Sequence, residues 1–500
     1  MDERITHLRS IQAELSDLGG AAAILSWDQQ TYMPPAAAEM RGQQLGTLGK
    51  LAHELETSAE YGKLLEELRP LASSLDPDSD EARLIFFAQR DFELATRLPV
   101  DFVVEQAEVT TMANQAWMEA RARSDFSHFR PHLEKIVDLT HRFVGFFPPA
   151  DHPYDILLDL YEPGMKTAEV QAIFAALRPV QVELIRAIRS QPQVDDTFLH
   201  QKFDEHKQWD FGVEVITAFG YDWQRGRQDR SAHPFTNGPG NRDVRITTRL
   251  APDFLNTMLF GTMHEAGHAL YDQGRPDSLE RTNLARGASF GVHESQSRMW
   301  ENLVGRSLPF WQHFYPRLQA IFPEQLGRVP LEKFYRGINK VQPSLIRVEA
   351  DEATYNLHIM LRLEIEIGLL EGKLAVGDLP EIWNDRMKDY LGITPADDAR
   401  GVMQDIHWSW GNFGYFPTYT LGNLISAQLW EKISRDLPGL PDEIRAGQFG
   451  SLLAWLRANI HVHGRKFMPQ ELVKRVTGRP IDPAPYLHYL QKKYGEIYGL

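Results

Sequence analysis

The sequence predicts a mainly α protein: one large helical domain spanning residues 1–500, with helical lobes flanking a groove and a small β element near the site. Apolar residues recur at three- and four-residue spacing over long stretches, proline and glycine punctuate those stretches, and strand-like alternation is scarce. A hydrophobic content of 43% and an aromatic content of 11% are ample for a sizeable core. No low-complexity linker or fixed-period repeat divides the chain.

The elements follow in chain order. Helical spacing runs over residues 36–56, 80–97, 101–123, 128–146 and 167–189, with boundaries at Pro70, Pro77, Pro99, Pro148-Pro149 and Pro163-Gly164. Asp78 with Glu81 reads as a helix-start pair. Within 101–123, Val109, Met112, Ala113, Ala116 and Ala120 mark an inward stripe, Glu108, Gln115 and Arg121 a solvated face, and Glu105 fits the stripe poorly. A turn-rich loop at 236–241 leads into the one clear strand signal, 243–250, where Val244, Ile246, Thr248 and Leu250 alternate with Asp243, Arg245, Thr247 and Arg249. Such a strand could add an extended peptide through its backbone, or serve as a short edge strand with a charged face. Helices at 254–271, 289–304 and 357–371 follow, and an amphipathic helix at 485–494 closes the chain.

Chemistry enters with His264-Glu265-Ala266-Gly267-His268 inside the 254–271 helix. Residues i and i+4 share a helical face, so both imidazoles can point at one ion, with Glu265 beside the place where a water would bind. In a chain with 18 His, chance supplies such a pattern about 0.05 times. The alternative is a buried helix whose two histidines are satisfied by hydrogen bonds. Gly267 costs helix stability and implies a packing reason. A third ligand comes from the returning helix at 289–304, where Glu294 is the candidate and His293, about 100° away on the helix, its rival. Asp272, Glu280 and Glu301 are left to orient ligands or face solvent. Two histidines and one glutamate leave a zinc ion open to water, as hydrolytic sites require. His461 and His463, at i and i+2, share no helical face and read as a helix end or packing pair.

Composition narrows the setting. The absence of cysteine excludes a disulfide framework and fits a reducing compartment. No basic-then-apolar leader and no 18-residue apolar run appears, so a soluble cytoplasmic protein away from membranes is expected. A formal net charge of −15 argues against nucleic acid as a partner.

Six motifs in order then give the chain a wider resemblance: His233-Pro-Phe235, Asp243-Val-Arg-Ile-Thr247, His264-Glu-Ala-Gly-His268, His293-Glu-Ser-Gln296, Ile346-Arg-Val-Glu-Ala-Asp351 and Gly401-Val-Met-Gln-Asp-Ile-His-Trp408. Segments 27–35 and 414–423 extend it. The chain resembles the carboxypeptidase Taq family of zinc metallocarboxypeptidases over nearly its whole length. The resemblance implies a helical fold with a deep groove, a homodimer, and broad release of single residues from peptide C-termini. It makes His264, His268 and Glu294 ligands of zinc, for which cobalt is an alternative, and Glu265 the general base. Arg347 is then the first candidate for the substrate's terminal carboxylate, unless it pairs with Asp351 or Glu352. Arg245 is the second candidate, unless it braces the site beside Asp243. His407, Tyr415 and Tyr419 are candidates for oxyanion stabilisation and proton donation, with packing as the alternative for each. His233 is placed behind the ligands or facing substrate, and Gln404 and Asp405 either bind substrate or hold His407. The rival readings are an oligopeptidase or dipeptidyl carboxypeptidase with the same ligands, and a noncatalytic peptide-binding scaffold.

Overall fold

In the computed structural model, which describes residues 2–500, the chain is mainly helical with one small sheet. It divides into two compact units, one made of Met1–Thr96, Asp195–Ile338 and Leu429–Pro480, the other of Arg97–Val194, Asn339–Gln428 and Ile481–Leu500.

The first unit opens with a long helix, Glu3–Thr31, that the apolar spacing does not announce. Only its first turns carry a clear stripe, where Ile5, Leu8 and Ile11 join Tyr61, Leu64, Leu65 and Leu68 in a local core. The helix Ala59–Ala72 runs through Pro70, contrary to the boundary expected there. The lost N–H falls in the final turn, where little helix remains to disturb. Helix Asp80–Arg97 starts as expected, but Ser79 rather than Asp78 caps it, accepting from the Ala82 N–H at 3.2 Å. Asp78 instead pairs with Arg83 and Arg475.

The sheet has three strands, β1 (Gly226–Arg230), β2 (Thr236–Gly240) and β3 (Asp243–Thr248), in the order β1-β3-β2. β1 runs parallel to β3 and β2 antiparallel to it, with Gln228 and Thr236 both opposite Ile246. Two expectations are corrected here. The loop expected at 236–241 holds a strand, and β3 is central rather than an edge. Its backbone groups are used on both sides, so it cannot itself add a peptide strand. β3 also stops two residues short of the expected end. Its buried Val244 and Ile246 pack towards the helix Leu255–Gly274, which ends three residues later than expected.

In the second unit, the helix Tyr355–Leu370 is buried on almost every side, as a helix apolar all round must be. Yet it carries His358, Arg362 and Glu366 into that interior. In the helix Val100–Arg123, Ala113, Ala116 and Ala120 are buried as their spacing predicts, whereas Met112 is 58% exposed and leaves the stripe. Glu105, the poor fit, forms a fork with Arg142 at 2.6 and 2.8 Å. The closing helix Ala484–Tyr498 is held by a buried ion pair between Lys493 and Glu352 at 2.8 Å.

Candidate metal centre and active site

In the first unit, the i, i+4 spacing sets the His264 and His268 rings 4.9 Å apart on one face of the Leu255–Gly274 helix. The helix Phe290–Arg298, started by the Ser289 hydroxyl accepting from the Val292 N–H, returns beside them. The two helices touch backbone to backbone at Gly267. A Cβ there would lie 2.6 Å from Ser297 Cα and 2.7 Å from the Gln296 oxygen, which supplies the packing reason for a mid-helix glycine.

This approach brings Glu294 Oε2 to 3.6 Å from His264 Nε2 and 3.4 Å from His268 Nε2. The three donor atoms lie within 4.8 Å of one another. Bonds of about 2.0–2.1 Å at tetrahedral angles separate neighbouring ligand atoms by roughly 3.3 Å, so the spacing fits a small divalent ion. Among the described residues this is the cluster of that kind.

The outer atoms of the ligands are also held. His264 Nδ1 lies 2.9 Å from Glu301 Oε2. Arg298 bridges the two carboxylates, donating to Glu294 Oε1 at 2.7 Å and to Glu301 Oε2 at 3.3 Å. Glu301 belongs to a π-helical turn, Met299–Val304, that continues the returning helix with wider winding. His293, the rival ligand, accepts a different role: its Nδ1 is 2.6 Å from His268 Nδ1 and its Nε2 3.1 Å from Asp272 Oδ1. The tautomers are mutually consistent. His268 donates from Nδ1 to His293, which donates from Nε2 to Asp272, leaving His268 Nε2 bare to face an ion.

Burial opposes charge on Glu294, yet Arg298 and His264 hold it well below the usual carboxylate range; burial also favours a neutral His264, yet Glu294 and Glu301 raise it. Burial pushes the His268 imidazole down to about 4, keeping it neutral. Burial also opposes charge on Glu301 and Asp272, but Arg298 and His264 draw Glu301 down to about 2, and Arg275 and His293 draw Asp272 down to about 2. Glu265 is raised, chiefly by burial.

Sequence reasoning missed Thr236. Its hydroxyl lies 2.7 Å from Glu265 Oε2 and 3.0 Å from the Glu265 backbone oxygen, so β2 aims the carboxylate. The readable signal was Gly238 and Gly240 at strand spacing, where a Cβ would meet Asp272 Oδ2 at 2.7 Å and Glu280 Oε2 at 2.9 Å. Arg245 forks onto Asp243 with two bonds of 2.7 Å and lies over the Trp27 ring at 4.6 Å, a bracing geometry. His233 is exposed, while the Phe235 N–H donates to Thr247 Oγ1 at 2.9 Å. His461 is buried against Gln296, its Nε2 3.0 Å from Gln296 Oε1, a packing role.

The other candidates lie in the second unit. Arg347 pairs with neither Asp351 nor Glu352. It donates to Asp405 Oδ1 from Nε at 3.0 Å and Nη2 at 2.8 Å, and to the Tyr355 hydroxyl from Nη1 at 2.8 Å. Arg362 grips Asp405 Oδ2, so two guanidiniums share one carboxylate and leave that triad one positive charge in excess. Burial would raise Asp405, but the two arginines hold it far below the usual carboxylate range. Gln404 accepts from the Arg347 N–H at 2.8 Å and fixes the turn rather than His407. His407 stands 5.3 Å from the Tyr415 ring and 6.3 Å from the Tyr419 ring, with its Nε2 3.4 Å from the Tyr419 hydroxyl. Burial pushes it down to about 4 against the pull of Asp405, so the ring is neutral near pH 7.

Comparison with known proteins agrees with this geometry. The family model for the carboxypeptidase Taq (M32) metallopeptidases matches residues 7–494. Thermostable carboxypeptidase 1 of Thermus thermophilus is 44% identical over 99% of this chain and 98% of its own length. Carboxypeptidase 1 of Bacillus subtilis is 38% identical over 97% of each chain. The crystal structure of an M32 carboxypeptidase from Deinococcus radiodurans superposes with a TM-score of 0.97 at 43% identity, covering 100% of both chains. The chain belongs to the carboxypeptidase Taq family and is a metallocarboxypeptidase, a hydrolase of peptide bonds.

Proposed function

We propose that the chain releases amino acids one at a time from peptide C-termini, with broad preference, as a zinc enzyme whose general base is Glu265. The observation that carries this reading is the convergence of His264 Nε2, His268 Nε2 and Glu294 Oε2 beside a buried Glu265. Two imidazoles and one carboxylate suit zinc with a coordination position to spare, and cobalt accepts the same donors. Bound there, the ion would polarise the scissile carbonyl and acidify a water molecule.

The chain's own residues supply the rest. Thr236 holds Glu265 Oε2, which leaves Oε1 to take the proton from the attacking water, and Glu265 then delivers a proton to the departing amine. Neutral His407, with Tyr415 and Tyr419, donates to the oxyanion as it develops. Asp405 and Tyr355 engage three of the five N–H groups of Arg347, and the other two are the donors for the terminal carboxylate. Arg245 and Gln404 act as braces, and Asp405 keeps both arginines charged. Residues 1–500 work as a single catalytic domain, because the chain passes five times between its two units and neither is a contiguous segment; the homodimer rests on the family resemblance, and the cytoplasmic setting on the cysteine-free sequence.

Two substitutions test this reading. Glu294→Ala is expected to weaken zinc binding at least about 100-fold in equilibrium titration, and unchanged affinity would refute the ligand set. Arg347→Ala is expected to lower kcat/KM by about 100-fold on free-acid peptides. Residual cleavage of C-terminally amidated peptides should not change, and an equal loss on both would exclude Arg347 as the carboxylate donor.

A further inference from the structure

Glu366 lies inside the second unit, on the fully packed helix Tyr355–Leu370, with no exposed surface. Its carboxylate touches no member of the Arg347–Asp405–Arg362 triad through a hydrogen bond. Oε1 accepts from the Trp408 indole N–H at 2.8 Å. Oε2 accepts from the Gly414 backbone N–H at 3.0 Å and from the Tyr154 hydroxyl at 2.6 Å. Burial lifts the carboxyl to about 7, against the downward pull of these three donors.

The sequence positions of two donors give the carboxylate its significance. Trp408 directly follows His407, and Gly414 directly precedes Tyr415, so one buried group grips both ends of the segment that carries two of the proposed oxyanion donors. The segment is clamped elsewhere too. Gly414 sits at φ +90°, and a Cβ there would fall 2.5 Å from the Leu157 oxygen. The Trp408 ring stacks on Phe413 and meets Trp383 edge-on. An apolar side chain would fill this space without the cost of desolvating a carboxyl. What an apolar residue could not do is accept from three donors on two sides at once.

We propose that Glu366 is a positioning residue for the hydrolysis, fixing the His407–Tyr415 segment so that both side chains meet the reacting carbonyl at the required distance. This rests on the reading of His407 and Tyr415 given above. Glu366→Gln keeps the shape of the group but turns an amide N–H towards one of the three donors. The experiment is steady-state kinetics on an N-blocked dipeptide with metal-loaded protein.

Glu366→Gln should lower kcat about 10- to 100-fold, as misplacement of about 1 Å does, with KM changed less than about twofold and metal affinity unchanged. In a His407→Ala/Tyr415→Phe background the same substitution should add less than about twofold, because the groups it positions are gone. Parental kcat in Glu366→Gln, or an undiminished loss in that background, would overturn the inference. Parental turnover in His407→Ala/Tyr415→Phe alone would remove the reading beneath it, and the inference with it. If Glu366→Gln does not fold, Trp408→Phe carries the test. That variant removes one N–H and keeps the stacking, so a fall in kcat at constant KM supports the role and an unchanged kcat refutes it.

Discussion

Glu265 is fixed before any substrate arrives, because Thr236 on a neighbouring strand holds one of its oxygens. Glu265→Gln preserves that contact and should leave metal content unaltered while lowering kcat about 1,000-fold, read by metal analysis alongside turnover. The supporting groups make a separate prediction. Glu301→Gln removes the negative charge that His264 Nδ1 and Arg298 face, and should weaken metal binding about 10- to 100-fold with the fold intact, as equilibrium titration would show. Glu301 and Asp272 sit near 2, below their ordinary 4.5 and 3.8, so the unfolded chain takes up their protons first. Their contribution to stability is full above about pH 4.5 and is lost as pH falls towards about 2. Denaturation midpoints of metal-free protein measured from pH 6 to pH 3 should therefore fall, and Glu301→Gln should flatten the decline. Spacing alone was enough to make the two histidines and Glu294 candidates, because helical periodicity fixes which residues share a face. Thr236 was missed because its contact crosses from strand to helix, and the local trace, Gly238 and Gly240 at strand spacing, marks a close approach without naming the residue that makes the contact.

Amphipathic stretches such as Asp80–Arg97 and Thr167–Arg189 were legible to the residue, since each leans one stripe on a core. Elements held by other forces were not. The glycine-rich β2 has no alternating side chains, and it is a strand because β3 pairs with it and Asp272 on the helix Leu255–Gly274 leaves no room for a Cβ at Gly238. The π-helical turn at Met299–Val304 cannot be distinguished from an α-helix by apolar spacing, yet it carries Glu301 to His264. Two glycines in helices make opposite predictions. Gly267→Ala would force a methyl into the Gln296 and Ser297 backbone and should destabilise by about 1–3 kcal/mol. Gly42→Ala, on the helix Ala38–Glu56 where nothing lies within 4 Å, should stabilise by about 0.5–1 kcal/mol. Melting temperatures of the two variants against the parent check both signs.

At the scale of the whole molecule, each unit carries its own polar cluster: His264, His268 and Glu294 lie in the first, and the Arg347–Asp405–Arg362 triad with His407 in the second. The motifs that identified the family lie in segments of both units, which is why the function was legible while the division of the chain was not. No low-complexity linker marks the boundaries, and each unit is assembled from three separated segments that only long-range packing brings together. Among the described residues no helix is long and apolar enough to cross a membrane. The central claim is a metal-dependent release of single C-terminal residues. Mass spectrometry of an N-blocked peptide incubated with zinc-loaded, chelator-treated and metal-restored protein tests it most directly. The account predicts a ladder shortening by one residue at a time from the C-terminus, abolished by the chelator and recovered with metal. Dipeptides, internal fragments, or cleavage that survives complete metal removal would contradict it.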